Sequence, residues 1–241
     1  MIILNDVSKT YETGSKAVKN ISLHIEAGEF VFIVGNSGSG KSTLLRAIAN
    51  MNSGYSGTIA IDGEDIRDIR PDHLAKKLAF VTTRRVRIAN LRCSDVVALG
   101  RAPYTNWIGS MQDVDRLIVH KALESTGMTE YADRPIDSLS DGESQRIMIA
   151  RALAQDTPIM LLDEPTSFLD MPNRYETAAL LRDLAHKHNK CIIYSTHELD
   201  IALRMCDSVA LIDTPTLYNL PPDKMTSSGH IDRLFHHTMV N

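Results

Sequence analysis

Nine consecutive residues, Gly35-Asn36-Ser37-Gly38-Ser39-Gly40-Lys41-Ser42-Thr43, carry the chemistry of a loop that wraps a chain of phosphates. Glycines at 35, 38 and 40 let the backbone turn tightly and aim successive N–H groups inward. A helix beginning at the end of the loop adds partial positive charge at the same point. Lys41 is then placed to reach the β- and γ-phosphates, and the Ser42 hydroxyl to ligate Mg²⁺. A second set of polar groups lies far along the chain, where four apolar residues, Ile159-Met160-Leu161-Leu162, run into Asp163 and Glu164. Asp163 is suited to holding Mg²⁺ through water, and Glu164 to polarising an attacking water. Alone, the pair would equally well be an ordinary strand ending in solvated acids. Beside a complete phosphate loop it reads as the second half of one site. Ser195-Thr196-His197 closes another apolar run in the same way. His197 is there either a surface histidine or a hydrogen-bonding group that registers a γ-phosphate. Together these residues imply binding of a nucleoside triphosphate.

The elements that must position them follow from apolar patterning. Residues 30–34 before the loop read as a buried strand, and residues 42–50 after it as a helix. Residues 2–7, 21–25, 58–61 and 78–81 read as further short strands. From there to about residue 155 the period becomes helical, most clearly at 95–99, 113–125 and 143–154. Strands return at 159–162, 191–195 and 208–212, separated by helices at 172–189 and 199–205, the first with Pro172 near its start. The expected fold is an α/β core interrupted by a mostly helical insert. Strands of such a core present ligands at their carboxyl ends, where Asp163, Glu164 and His197 fall. After Asp213 the pattern weakens, and Thr214-Pro215, Pro221-Pro222 and Thr226-Ser227-Ser228-Gly229 read as loops.

Composition narrows the function. With 241 residues the chain can bury a substantial core. A formal net charge of −4 speaks against a general nucleic-acid binder, which would be basic. Cys93, Cys191 and Cys206 are widely separated and lack metal-ligand spacing, so they suit a reducing cytosol and a place in the core. The start of the chain lacks the basic flank and apolar length of a signal peptide. No apolar run approaches the roughly 20 residues of a membrane helix, so action at a membrane would need another chain to span it. The pair His236-His237 offers too few ligands for a metal site.

Between Tyr11 and Asp213 the sequence resembles the ATP-binding subunits of ABC transporters. Leu139-Ser140-Asp141-Gly142-Glu143 stands where that family has its signature motif, and a matching helix follows at residues 144–153. Pro165-Thr166-Ser167-Phe168-Leu169-Asp170 looks like the family's D-loop. His197 matches its switch histidine and Tyr11 its adenine-stacking aromatic. The resemblance implies a P-loop NTPase (RecA-like) core with an antiparallel β portion and a helical subdomain carrying the signature. Residues 1–81 and 156–213 would form the core, 82–155 the helical subdomain and 214–241 a C-terminal extension, all within one domain. It implies ATP and Mg²⁺ as ligands, and Glu164 and His197 as the catalytic pair. It also implies a head-to-tail dimer in which Ser140 and the Gly142 backbone cover the partner's ATP. Residues 97–104, Val97-Ala98-Leu99-Gly100-Arg101-Ala102-Pro103-Tyr104, look like a stretch of importers of iron-siderophore complexes, haem and cobalamin. Such an importer has a membrane permease and a substrate-binding protein, and its ATPase sits on the cytoplasmic face of the membrane through the permease. A lipid or lipoprotein exporter, a soluble ATPase of the iron–sulfur assembly type and an ATP-holding regulatory module share the chemistry.

The chain departs from the family pattern in two places. Asp141 and Glu143 stand where the signature has glycine and glutamine, adding negative charge beside an anion site. Thr82-Thr83, followed by Arg84-Arg85-Val86-Arg87, occupies the position of the Q-loop glutamine. Thr83 offers a shorter hydroxyl, and the arginines are either a solvated face or a docking patch for the permease.

Overall fold

The computed structural model describes residues 1–10, 16–82, 90–105, 111–214 and 216–236. In chain order it begins with strands β1 (Ile2–Thr10), β2 (Lys16–Ile25) and β3 (Phe30–Val34), then helix α1 (Lys41–Ile48). Next come β4 (Ser56–Ile61), β5 (Glu64–Asp65), α2 (Pro71–Lys77) and β6 (Leu78–Val81). The helical part holds α3 (Cys93–Ala98), a 3₁₀ turn at Leu99–Tyr104, α4 (Asp113–Ser125) and α5 (Asp141–Ala154). The chain then returns through β7 (Ile159–Asp163), α6 (Met171–His188), β8 (Cys191–Thr196), α7 (Leu199–Met205) and β9 (Ser208–Asp213). It closes with β10 (Thr216–Leu220), α8 (Pro222–Ser227) and α9 (His230–His236).

Two sheets result. One has the antiparallel order β2-β1-β4-β5; the other, β10-β9-β3-β8-β7-β6, is parallel apart from its β10–β9 edge. In the second sheet β3 lies between β9 and β8, and β7 lies beyond β8, so the three strands bearing the candidate residues are neighbours. Register aligns their ends: Val34 faces Thr196 and Asp163 faces Ser195. A continuous apolar run such as Phe30 to Val34 is what a strand covered on both faces requires. Phe30, Phe32 and Val34 pack into the cluster shared with α5, α6 and α7. Val31 and Ile33 point the other way, toward α1 and the antiparallel sheet. The first cluster also takes in Val96, Val97, Val119 and Ile147, so the helical insert shares one apolar core with the sheet.

Cys93 and Cys191 are buried and Cys206 half-buried, and desolvation pushes the Cys191 and Cys206 thiols up to about 12. Such thiols stay protonated and unreactive, as core residues do.

One sequence expectation fails. Residues 216–220 and 222–227 are not loops. Thr216–Leu220 pairs antiparallel with β9, and Pro222 opens a helix. An edge strand is only half covered, so its apolar alternation is weak. Pro222 at the first helical position costs no hydrogen bond, so Pro221-Pro222 marks a helix start. Helix α2 likewise begins at a proline, Pro71, that carries little apolar signal around it.

Candidate nucleotide-binding and hydrolysis site

The loop after β3 folds as its composition requires. Gly38 and Gly40 hold φ of 77° and 101°, a region that side-chain-bearing residues avoid, and Gly40 caps α1. Ser39 donates its N–H to the Asn36 carbonyl at 3.1 Å, closing the turn across Ser37. Gly35 approaches Ser39 and the β9 end closely, and Thr43 is buried on the first turn of α1. Lys41 is buried, with Nζ donating to the Gly35 carbonyl at 2.8 Å and the Asn36 carbonyl at 3.1 Å. Burial pulls its pKa below the ordinary lysine value, against the opposing pull of Glu164 and Asp163. A phosphate would compete with those carbonyls for the same three ammonium donors.

Asp163 is 1% exposed. Its Oδ1 accepts hydrogen bonds from the Ser42 hydroxyl at 2.9 Å and the Ser195 hydroxyl at 2.9 Å. Its Oδ2 is buried with no hydrogen-bond partner among the described residues. An orphaned buried carboxylate oxygen is costly, and a hydrated cation beside Ser42 is the group that would satisfy it. The residues therefore fit Mg²⁺, with Ser42 and Asp163 as the protein oxygens that would hold it. Bound there, the ion would offset charge on the phosphate oxygens.

Glu164 follows with φ of 46°, a left-handed conformation that is rare outside glycine, and its N–H donates to the Ser195 carbonyl at 3.1 Å. Its Oε1 lies 3.8 Å from Lys41 Nζ and 3.8 Å from His197 Nδ1. Its Oε2 accepts from the Ser167 hydroxyl at 3.3 Å. The structure thus gathers Lys41, Ser42, Asp163, Glu164 and His197 at one sheet edge, from three separate parts of the sequence.

The comparisons with known proteins fall on the same residues. The ABC transporter family model matches residues 18–167, which spans the phosphate loop, the signature and both acids. The chain belongs to the ABC transporter family. An ABC transporter ATP-binding protein of Methanocaldococcus jannaschii, itself uncharacterized, is 42% identical over 81% of this chain and 67% of its own. The petrobactin import ATP-binding protein of Bacillus anthracis is 36% identical over 83% of this chain and 74% of its own. A structure described as an inward-facing ABC transporter of metal-chelate type covers 98% of this chain and 88% of its own, at 25% identity and a TM-score of 0.85. A dimeric ATP-binding cassette in a post-hydrolysis state with ADP and phosphate covers 92% and 99%, at 31% identity and a TM-score of 0.82. The cassette is accordingly an ABC-type ATP hydrolase.

The signature forms the start of α5. Ser140 caps α5, and its described hydrogen bonds run to its own helix. Glu143, the departure from glutamine, closes a reciprocal cap with it. Its Oε2 accepts from the Ser140 N–H at 2.8 Å and hydroxyl at 2.7 Å, while its N–H donates to Ser140 Oγ at 3.3 Å. The Ser140 hydroxyl, and after it the N–H, hold the Glu143 carboxyl below its ordinary range. The charge therefore does not point away from the anion site; it sits on the serine that would meet the phosphate. Asp141 is exposed on the same turn.

The stretch that resembles importers proves to be architectural. A side chain at Gly100 would put Cβ 2.3 Å from the Arg151 carbonyl, so only glycine lets the turn meet α5. Arg101 is buried, donating to Asp115 Oδ1 at 2.8 Å and to the Ala154 carbonyl at 3.0 Å, with its guanidinium 4.2 Å from the Tyr104 ring centre. Nearby, a cavity of about 330 Å³ is lined by Met51, Leu74, Phe80, Arg151 and Gln155.

Tyr11, Thr83 and residues 84–87 lie outside the described residues. Ser195 went unread in the sequence because a serine inside an apolar strand carries no pattern of its own. Arg174 was missed too: it donates to the Leu169 carbonyl at 2.6 Å and pairs with Glu198, tying the D-loop to the histidine's loop.

Proposed function

We propose that this cassette powers import of a metal chelate, namely an iron-siderophore complex, haem or cobalamin, through a membrane-spanning permease. The observation that carries the reading is the cluster of Lys41, Ser42, Asp163, Glu164 and His197 in a chain 36% identical, over 83% of its length, to a petrobactin import subunit. Likeness to a metal-chelate type transporter along almost the whole chain supports it. Among the described residues no helix is long and apolar enough to cross a membrane, so the permease supplies the span. The apolar cavity beside β6 is suited to receive a short permease segment, since β6 leads directly into the basic residues 84–87. A substrate-binding protein delivers cargo on the far side, and the cassette rests on the cytoplasmic face. Residues 1–81 and 156–213 act as the nucleotide-binding core, 82–155 as the helical subdomain and 214–241 as an extension.

In this reading Lys41 and the loop N–H groups hold the phosphates, with Tyr11 against the adenine. Ser42 and Asp163 hold Mg²⁺. Glu164 orients the water that attacks the γ-phosphorus as ADP leaves, and His197 hydrogen-bonds the same phosphate. Ser140 and Gly142 of a second copy close the site. Phe168 and Met171, half exposed beside the D-loop, suit burial against that copy. The test is uptake. Deleting the gene should abolish growth on one of the three chelates as sole source, restored by the parent cassette. Normal uptake of all three with failed lipoprotein release would instead make it an exporter subunit. Failure to co-purify with any membrane protein would point to the soluble type.

A further inference from the structure

The Ser195 side chain has 0% exposure at the end of β8, between the phosphate-loop strand and the strand of the two acids. Its hydroxyl donates to Asp163 Oδ1 at 2.9 Å and accepts the Glu164 N–H at 3.0 Å. One oxygen thus touches both acids, through the side chain of the first and the backbone of the second. We propose that Ser195 is a positioning residue of the hydrolytic site, fixing the rotation of the Asp163 carboxylate and the left-handed backbone of Glu164 at once.

The first effect follows from counting donors. A carboxylate is free to rotate about its Cβ–Cγ bond unless its oxygens are made unequal. Ser42 and Ser195 both donate to Oδ1, from the loop side and from the β8 side. Oδ2 is left as the Asp163 oxygen without a partner among the described residues. Ser42 alone would have to do this while also serving the metal. Ser195 lies on β8, outside the phosphate loop. The second effect concerns Glu164, whose φ of 46° is unfavourable for a residue with a side chain. Its N–H is shared between the Ser195 carbonyl and hydroxyl, so the strained peptide is held from both groups of one residue. The direction of the Glu164 side chain depends on that peptide.

The inference rests on the assignment of Asp163 to the metal and Glu164 to the water. Three variants of Ser195 separate hydroxyl from volume: Ser195→Ala removes it, while Ser195→Thr and Ser195→Val match each other in size and differ in the hydroxyl. Two readouts apply: affinity for a fluorescent ATP analogue in Mg²⁺ and in EDTA, and hydrolysis rate against Mg²⁺ concentration. Losing a hydrogen bond to a charged group predicts roughly a tenfold higher Mg²⁺ requirement and a tenfold lower kcat in the Ala and Val variants. Affinity in EDTA should stay within about twofold of the parent, and Ser195→Thr should recover most of both parameters. Equal behaviour of Thr and Val, whether both near the parent or both lowered together with the melting temperature, would overturn the proposal in favour of a packing role. Asp163→Asn run alongside distinguishes the levels. If it leaves the Mg²⁺ requirement unchanged, the underlying assignment fails. If it raises that requirement while Ser195→Val does not, only the role of Ser195 fails.

Discussion

Lys41 shows how the loop accommodates a buried charge. An ammonium group in so buried a place is costly, and the Gly35 and Asn36 carbonyls offset the cost by accepting two of its protons. Phosphate oxygens are stronger acceptors than carbonyls, with charge-assisted bonds of about 1.5–3 kcal/mol each. Lys41→Ala should therefore weaken ATP binding more than tenfold, read by titration with a fluorescent nucleotide. Turnover near the parent rate would refute the loop's role. Glu143 makes the opposite kind of contribution at the proposed second anion site. Its charge favours the start of α5 but opposes a phosphate approaching Ser140. A charge at a helix N-terminus is worth about 0.3–1 kcal/mol, so Glu143→Gln should lower the ATP concentration for half-maximal hydrolysis by about two- to fivefold. It should lower the melting temperature slightly as well. The pH dependence has a definite sign. Because the Glu143 carboxyl is held below its ordinary value, the cap's contribution is present above the unfolded value and is lost as pH falls through the folded one. In the Gln variant this acid-side loss should vanish. An unchanged ATP dependence would mean that Ser140 turns freely away from Glu143.

At the scale of elements, the helical insert is joined to the sheet by polar locks set in an apolar core. Arg101 reaches from the 3₁₀ turn to α4 through Asp115 and to the last turn of α5 through the Ala154 carbonyl. The Asp115 carboxyl is held low first by the Gln112 N–H and then by Arg101. Gly100 permits the contact with α5, and a methyl there meets backbone rather than a movable side chain. Gly100→Ala should cost about 1–3 kcal/mol by overpacking. For a chain of this size that is about 2–4 °C in melting temperature per kcal/mol. An unshifted melting curve would show that the turn yields. The same stretch shows what patterning does and does not reveal. Buried strands and the amphipathic helices were legible because periodicity is set by burial, and the phosphate loop because few loops need three glycines, Lys and Ser in order. The Arg101–Asp115 pair is not legible, since nothing in sequence says that a partner waits 14 positions on. The tail after Asp213 looked like loop because β10 is a half-covered edge and Pro222 serves as a helix start. Ser195 was quoted only as the neighbour of His197. Its role exists only once β7 and β8 lie side by side.

For the whole molecule, the proposed site draws on two copies. Lys41, Asp163, Glu164 and His197 gather at the sheet edge, while Ser140 and Gly142 lie at the start of α5 with their described hydrogen bonds elsewhere. In the proposed arrangement a second copy turned head to tail would bring its signature to the nucleotide, and solved cassettes similar to this one are dimeric. ATP would then act as an adhesive between copies, and hydrolysis would remove it. Glu164→Gln keeps the shape of the side chain and loses the charge proposed to orient water. By the measure of removing one catalytic polar group, turnover should fall on the order of 10²–10³. Nucleotide binding should persist, because Lys41, Ser42 and the loop N–H groups are untouched. The two effects together predict accumulation of an ATP-bridged dimer in this variant but not in the parent, and not with ADP. Sedimentation velocity in saturating Mg-ATP reads this directly. A dimer that dissolves when Ser140→Ala is added to Glu164→Gln would place the signature serine in the bridge. A variant that stays monomeric while binding ATP fully would show that closure needs the permease, and adding membranes that carry it would then have to restore the dimer.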